Sequence, residues 1–149
     1  MVRGSVAAVC LSEGSGFPRP KVAEGVLRED LGFVGNLHSV SGPREVCLFD
    51  AALYEALRAQ GVDVGPGSVG ENLTLTGITL ADLGPGDRIR LGDQAVVEIT
   101  VPRKACSRLA KVDERLPSAL EGRAGWLARV VVGGTVRPGD EAELLARAE

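Results

Sequence analysis

The sequence predicts a mainly β fold: a small closed or nearly closed β-barrel with a few attached helices, in a single domain over residues 1–149. Three observations support this prediction. Short apolar and β-branched runs recur, turn-forming residues separate them about every ten residues, and only one stretch has a clear helical pattern. At 149 residues, the chain can bury an independent core without disulfides or a structural metal.

The first third of the chain predicts strands joined by loops. The loop over residues 31–43 contains four glycine or proline residues and His38, the only histidine. Loops on a rigid scaffold often carry functional residues, although a lone histidine in a loop is more often structural than catalytic. Apolar runs in this part of the chain predict three strands: residues 2–11, 22–28 and 44–49.

One stretch has the pattern of an amphipathic helix. Asp50 is a suitable N-cap, the pattern continues to about Gln60, and Gly61 is suited to end it. We expect this helix to have a packing role. Its predicted apolar stripe consists of Leu53, Ala56 and Leu57.

Residues 65–70, GPGSVG, match the dinucleotide-binding pattern GxGxxG only formally. That motif requires a strand before it and a helix after it. Here Pro66 follows the first glycine, and the residues after Gly70 alternate like a strand. The glycines instead predict a tight turn that presents Glu71 and Asn72.

The second half of the chain predicts more strands and turns. Pro85 with Gly86 and Pro138 with Gly139 suit the central positions of type II turns. Residues 107–120 are amphipathic but interrupted by proline, and Trp126 is expected in the core. The predicted strands of this half are residues 88–91, 95–101 and 126–132.

Composition argues against several partners. Seventeen basic and twenty acidic residues give a net charge of -3, so no global excess of positive charge indicates nucleic-acid binding. The apolar run at residues 6–11 is too short for a signal sequence or a membrane span. We therefore expect a cytoplasmic protein with neither nucleic acid nor membrane as a partner.

Three cysteines far apart, without a CxxC pair, argue against a zinc site or a disulfide framework. Cys10 and Cys47 lie in apolar, strand-like runs, so we expect buried and inert thiols there. Cys106 differs because cationic residues flank it, and nearby positive charge favours the reactive thiolate. These cations are Arg103, Lys104 and Arg108.

The location of Cys106 also favours a functional thiol. Pro102 should end the preceding strand, which places Cys106 just beyond it at the start of a helical turn. The helix N-terminus favours the thiolate, and its free amides can bind phosphate, so one site could hold a thiolate ligand and an anionic cofactor tail. Two alternatives stay open: a core thiol, and a nucleophile activated by His38.

Six motifs in this order resemble the MOSC domain family, named for the C-terminal domain of eukaryotic molybdenum cofactor sulfurases and also found as small stand-alone bacterial proteins. The motifs are LGFVGNLH, PREVCLFD, PGSVGENLTLTGI, LGPGDRIRLGD, PRKACSRL, and GW followed by VVVGGTVRPGD. The resemblance covers nearly the whole chain. It implies a β-rich barrel and a molybdopterin-type molybdenum cofactor rather than pyridoxal phosphate.

By this resemblance Cys106 is both the molybdenum ligand and the catalytic thiolate, a role that suits a soft ligand. Relatives reduce N-hydroxylated compounds with electrons from separate redox proteins, which implies a small-molecule substrate and an electron-donor partner. Two other functions stay open: a persulfide or molybdenum cofactor carrier without turnover, and a binding module that has lost the cofactor. Two departures from the family pattern suggest the binding module without cofactor. The chain has Ala105 where the family commonly has proline, and Asn36 where it commonly has aspartate.

The residues expected to bind the cofactor are Arg103, Lys104, Arg108, Arg44, His38, Asn72 and Glu71. Arg103, Lys104 and Arg108 would hold phosphate or pterin oxygens. Arg44 and His38 would line the cofactor cavity, where Arg44 could act as a bidentate clamp. Each of Arg103, Lys104 and Arg108 could instead be a solvated surface charge. Glu71 and Asn72 would fix the cavity through hydrogen bonds to backbone, or stabilise their own turn.

Overall fold

The computed structural model describes residues 2–12, 19–36, 42 and 44–145. The strands within them are β1 Arg3–Cys10, β2 Lys21–Val22, β3 Gly25–Arg28, β4 Gly32–Phe33, β5 Val46–Asp50, β6 Leu73–Thr76, β7 Arg88–Leu91, β8 Ala95–Pro102, β9 Trp126–Val132, β10 Gly134–Val136 and β11 Glu141–Leu144. The α-helices are α1 Ala51–Ala59 and α2 Leu116–Ala119, and short 3-10 helices span Leu80–Asp82 and Ser107–Lys111.

Seven strands close into a barrel, which confirms the predicted fold class. Their order is β11-β7-β8-β9-β5-β6-β1, and β1 pairs back with β11. Neighbouring strands in the barrel are antiparallel except β5 and β6, which are parallel and have α1 between them in the chain. Strand β2 extends the sheet beside β1, and β10, β3 and β4 form a second small sheet.

The core divides into two clusters. The barrel interior is filled by alternate residues of its strands, as Ile89 and Leu91 on β7 and Val97 and Ile99 on β8 show. The second cluster packs between α1, α2 and the turn segments, and it includes the buried Tyr54. Within the described residues, no helix is long and apolar enough to cross a membrane.

Several predicted elements match the structure closely. Strands β7 and β9 have the predicted bounds, and Asp50 caps α1 by accepting a hydrogen bond from the Ala52 N–H at 3.0 Å. Gly86 and Gly139 have φ values of 93° and 94°, as the second central residue of a type II turn requires. The turn before Glu71 leads into strand β6 rather than a helix, which agrees with the rejection of the dinucleotide-binding reading.

Other predictions need correction. Residues 22–28 form parts of two strands, because β2 pairs with β1 while β3 pairs with β10 in the other sheet. The predicted loop at residues 31–43 contains β4 and a buried Phe33; residues 37–41 and 43 lie outside the described residues. On α1 the buried residues are Tyr54 and Leu57, whereas Ala56 is exposed. A cap and spacing predict a helix, but the neighbouring elements decide which face is buried.

Candidate functional site

A cavity of about 780 Å³ lies where strand β8 ends. Cys106 is in its wall, together with five cationic side chains: Arg19, Arg44, Arg103, Lys104 and Arg108. Val101, Pro102 and Leu127 form an apolar part of the wall. The cavity therefore joins a thiol to a high local density of positive charge, which favours anionic ligands.

Cys106 is held at a transition between two local structures. Strand β8 ends at Pro102, and the Arg103 N–H donates to the Gly125 carbonyl oxygen at 3.0 Å. Cys106 then has an extended backbone, and its carbonyl accepts from the Leu109 N–H at 3.1 Å as the 3-10 helix begins. The thiol is half-buried, at the predicted place just beyond the strand.

The surroundings of Cys106 favour its thiolate. Partial burial opposes ionisation, but the N–H groups of Arg108 and Leu109, the Arg108 side chain and the charge of Arg103 outweigh it. The pKa of Cys106 is therefore below the ordinary thiol value of 9.0. Burial has the opposite effect on the other two thiols: it raises the pKa of Cys10 to about 12 and also raises the pKa of Cys47.

These shifts predict selective alkylation of the native protein. Iodoacetamide near neutral pH should modify Cys106 and leave Cys10 and Cys47 intact, because only the first thiol combines exposure with a lowered pKa. Peptide mass spectrometry locates the modification, and Cys106→Ala should abolish it. The rate should reach half its maximum below pH 9.0. Modification spread over all three cysteines would contradict this account of the site.

Arg103 is held in the cavity wall by bonds of both its main chain and its side chain. Its Nη2 donates to the Val69 carbonyl oxygen, and its guanidinium also hydrogen-bonds the Cys47 thiol. The same charge acts on Cys106. Since both its main chain and its side chain are held, Arg103 presents a positive charge at a defined place.

Arg19 is a cavity residue that sequence reasoning missed. Its backbone N–H donates to the Gly67 carbonyl oxygen at 2.9 Å, which fixes this segment against the turn before β6. Burial lowers the pKa of Arg19, and the nearby charge of Arg103 lowers it further. Its buried Nε has no hydrogen-bond partner among the described residues. Two partly buried guanidinium groups side by side are costly unless an anion lies near them.

Asn72 fixes the cavity wall through hydrogen bonds to backbone, one of the two roles expected for it. Its Oδ1 accepts from the Cys47 N–H at 3.1 Å, and its Nδ2 donates to the Cys10 carbonyl oxygen at 3.1 Å. These bonds join β1 to β5. Nδ2 also lies 3.4 Å from Oδ1 of Asn36, which in turn accepts from the Ser12 N–H at 2.6 Å.

Glu71 lies behind the wall rather than in it. Its side chain is fully buried, and its two oxygens accept hydrogen bonds from the hydroxyls of Tyr54 and Thr74, both at 2.7 Å. The Tyr54 oxygen in turn accepts from the Val69 N–H at 3.2 Å. Glu71 is thus joined through Tyr54 to the peptide segment that holds Arg103.

The family profile of the MOSC domain matches residues 35–143 of the chain. The protein belongs to the MOSC domain family. The predicted family is thereby confirmed.

Two curated relatives match parts of this MOSC protein. YflK, an uncharacterized protein of Bacillus subtilis (strain 168), is 43% identical over 84 residues, which cover 54% of the chain and 38% of YflK. A protein of Gibberella moniliformis named Reductase is 34% identical over 131 residues, 78% of the chain and 23% of that protein. The chain thus spans well under half the length of either relative.

Solved structures share the fold. The YUAD protein from Bacillus subtilis superposes with a TM-score of 0.83 at 19% identity, covering 95% of each chain. YiiM from Geobacillus stearothermophilus superposes with a TM-score of 0.78 at 24% identity, covering 96% of this chain and 75% of its own. These likenesses extend over nearly the whole described barrel.

The MOSC barrel brings most of the predicted site residues together. The cavity wall contains Cys106, Arg103, Lys104, Arg108, Arg44 and Asn72. Glu71 lies just outside the wall, and His38 lies outside the described residues. The described residues contain no group of three or more His, Cys, Asp or Glu side chains that could hold a metal.

Among the wall residues that were not predicted as site residues are Arg19, Glu45 and Cys47. Glu45 is buried, and its carboxylate accepts from the Val130 N–H at 2.8 Å and the Gly42 N–H at 2.7 Å. Arg19 reaches the cavity through pairing between distant segments, whereas Glu45 and Cys47 lie beside the predicted residue Arg44 in the PREVCLFD motif.

Proposed function

We propose that this MOSC protein binds a molybdopterin-type molybdenum cofactor in the cavity beside Cys106 and reduces N-hydroxylated small molecules, with electrons from a separate redox protein. The observation that carries the proposal is the meeting of a thiol of lowered pKa and five cationic side chains in one cavity. The name of the Gibberella moniliformis relative, Reductase, agrees with this class of reaction.

The chemistry of the cavity fits such a cofactor. A thiolate is a soft ligand suited to a molybdenum centre, and the lowered pKa of Cys106 favours this ligating form. Arginine binds phosphate in a bidentate manner, and Arg19 and Arg103 offer guanidinium groups in the same partly buried place. A phosphate bound by both residues would offset the repulsion of their like charges.

When bound, the cofactor would supply electron transfer to the substrate at the metal. The chain has three tasks in this proposal. Cys106 holds the metal through its thiolate, the cationic side chains orient the anionic tail, and Asn72 fixes the wall by joining β1 to β5. The protein thus provides placement and charge, and the redox chemistry belongs to the cofactor.

The test is the metal content of the protein made in a host that produces the cofactor. We expect molybdenum and pterin near one per chain in the native protein and loss of both in Cys106→Ser, because serine does not provide a soft thiolate. Cys10→Ala is the matched control, since that thiol is fully buried and is not part of the cavity wall. Mass spectrometry of the metal and pterin fluorescence give the two readings.

A second function is favoured by the same lowered pKa. A half-exposed thiolate among cations can also carry a persulfide, which would make the protein a sulfur carrier without turnover. Sulfane sulfur on Cys106, with no molybdenum in the native protein despite a verified host supply, would overturn the oxidoreductase proposal and support the carrier.

A further inference from the structure

A second cavity, of about 1110 Å³, adjoins the first along residues 102–104. It lies among α1, residues 77–81, α2 and residues 121–126, and Trp126 forms part of its wall. Ala105 faces this cavity, whereas the next residue, Cys106, faces the first. Its volume slightly exceeds the range of about 300–1,000 Å³ that is usual for small-molecule sites.

The wall of the second cavity is largely apolar. Leu53, Ile78, Leu80, Pro117 and Trp126 all contribute to it, and Leu53 and Trp126 are only half-buried. The Trp126 indole N–H donates to the Leu80 carbonyl oxygen at 2.7 Å, which fixes the ring with its polar edge already satisfied. A fixed, partly exposed indole in a concave apolar wall suits contact with another flat ring.

The charges around this cavity are not equivalent. Both carboxylate oxygens of Asp50 accept backbone N–H groups, from Ala52 at 3.0 Å and Leu80 at 3.2 Å, so its charge is already compensated. The exposed charged residues that remain in the wall are Lys104, Glu121 and Arg123.

No ion pair among the described residues involves these three side chains. Arg123 donates through Nε to the Ala119 carbonyl oxygen at 2.7 Å, which places its guanidinium beside α2. Two cations against one anion leave a positive balance at the edge of an apolar cavity. That balance complements a ligand with an acidic group.

We propose that the second cavity binds a small, flat aromatic molecule with one acidic group, its ring against Trp126 and its acidic group toward Lys104 and Arg123. The wall of the second cavity does not include Cys106, but Lys104 lines both cavities, so Arg123 is the exposed cation that belongs to the second cavity alone. The proposal adds a second ligand site to the barrel, beside the one proposed for the cofactor.

Trp126 provides the readout, because it is the only tryptophan in the chain. The probe is anilinonaphthalene sulfonate, an aromatic anion that accepts energy from excited tryptophan. Titration of the full chain should give saturable quenching of Trp126 and sensitised probe emission at one site per chain. Phenylnaphthylamine, which has similar rings without the sulfonate, should bind at least about threefold more weakly, the scale of an exposed charge pair.

Two variants test the location. Thr79→Phe and Ser118→Phe place rings into the cavity from different elements, and each should weaken probe binding at least about tenfold because the space is filled. Thr76→Phe is the matched control, because Thr76 is exposed outside the cavity and its variant should bind like the native chain. Denaturation curves establish that all three fold.

Unchanged probe binding in both folded cavity variants would overturn the proposal, since the probe would then bind elsewhere, including the cationic first cavity. Absence of saturable energy transfer from Trp126 would also overturn it. Binding that persists in Cys106→Ser separates the result from the molybdenum test, so the two proposals can fail independently.

Discussion

Gly67→Ala is expected to lower the free energy of unfolding by about 2–5 kcal/mol. Gly67 has a φ of 88°, a conformation that costs an L-residue about 1–2 kcal/mol. A Cβ at this position would also lie 2.3 Å from the Arg19 carbonyl oxygen and 3.2 Å from the Cys10 Sγ. Relief requires movement of backbone, since the nearest atom belongs to the main chain. Chemical denaturation measures the loss.

Gly86→Ala is the matched control for this prediction. Gly86 has a φ of 93°, but a Cβ there would meet no atom within 4 Å, so only the backbone cost of about 1–2 kcal/mol should appear. The excess loss in Gly67→Ala then measures the close approach to Arg19. Equal losses in the two variants would show that the turn does not hold Arg19 tightly against the cavity.

The fold was largely predictable because its signals are local. Strand β9 is an apolar run after a glycine, and β7 follows a Pro-Gly turn, so both could be bounded from neighbouring residues. The closing pair, β1 with β11, joins residues such as Arg3 and Glu143 at opposite ends of the chain. The large number of short strands predicts a closed barrel, but no local feature of the sequence predicts which residues pair between distant strands.

The site was predictable to the extent that it is continuous in sequence. Arg103, Cys106 and Arg108 could be recognised because one short segment places cations beside a thiol. Arg19 reaches the same cavity through the turn at Gly67, a contact between distant segments. Glu71 shows the opposite error, a residue that the sequence predicts for the cavity but the structure places behind its wall. Its charged side chain suggests a functional group, but its neighbours direct that side chain into the core.

Glu71 should make the stability of this protein depend on pH. Burial raises its pKa above the ordinary 4.5, and the hydrogen bonds from Thr74 and Tyr54 offset this only in part. A carboxyl with a raised pKa holds its proton more tightly in the folded state. Its stabilising contribution is therefore complete below the unfolded pKa and is lost as pH rises through the folded pKa.

Glu71→Gln should remove this dependence, because the amide keeps the shape and can hydrogen-bond both hydroxyls without a charge. The free energy of unfolding of the variant should therefore gain on that of the native protein as pH rises from about 4.5 toward 8. Glu71→Ala should instead lose about 2–4 kcal/mol, since it leaves a cavity and removes the acceptor of the Tyr54 and Thr74 hydroxyls.

Glu98→Gln supplies a control with the opposite sign. The hydrogen bond from Arg129, with help from Arg88, lowers the pKa of Glu98, so its contribution is present above the unfolded pKa and lost as pH falls through the folded pKa. The free energy of unfolding of Glu98→Gln should therefore be lower than that of the native protein at neutral pH, and the two values should converge in acid. Denaturation curves over a pH series compare the Glu71→Gln and Glu98→Gln variants with the native protein.

A constant difference in the free energy of unfolding between Glu71→Gln and the native protein at every pH would contradict the prediction for Glu71. It would mean that Glu71 does not titrate as a buried carboxyl and that its bonds to Tyr54 and Thr74 fully compensate its charge.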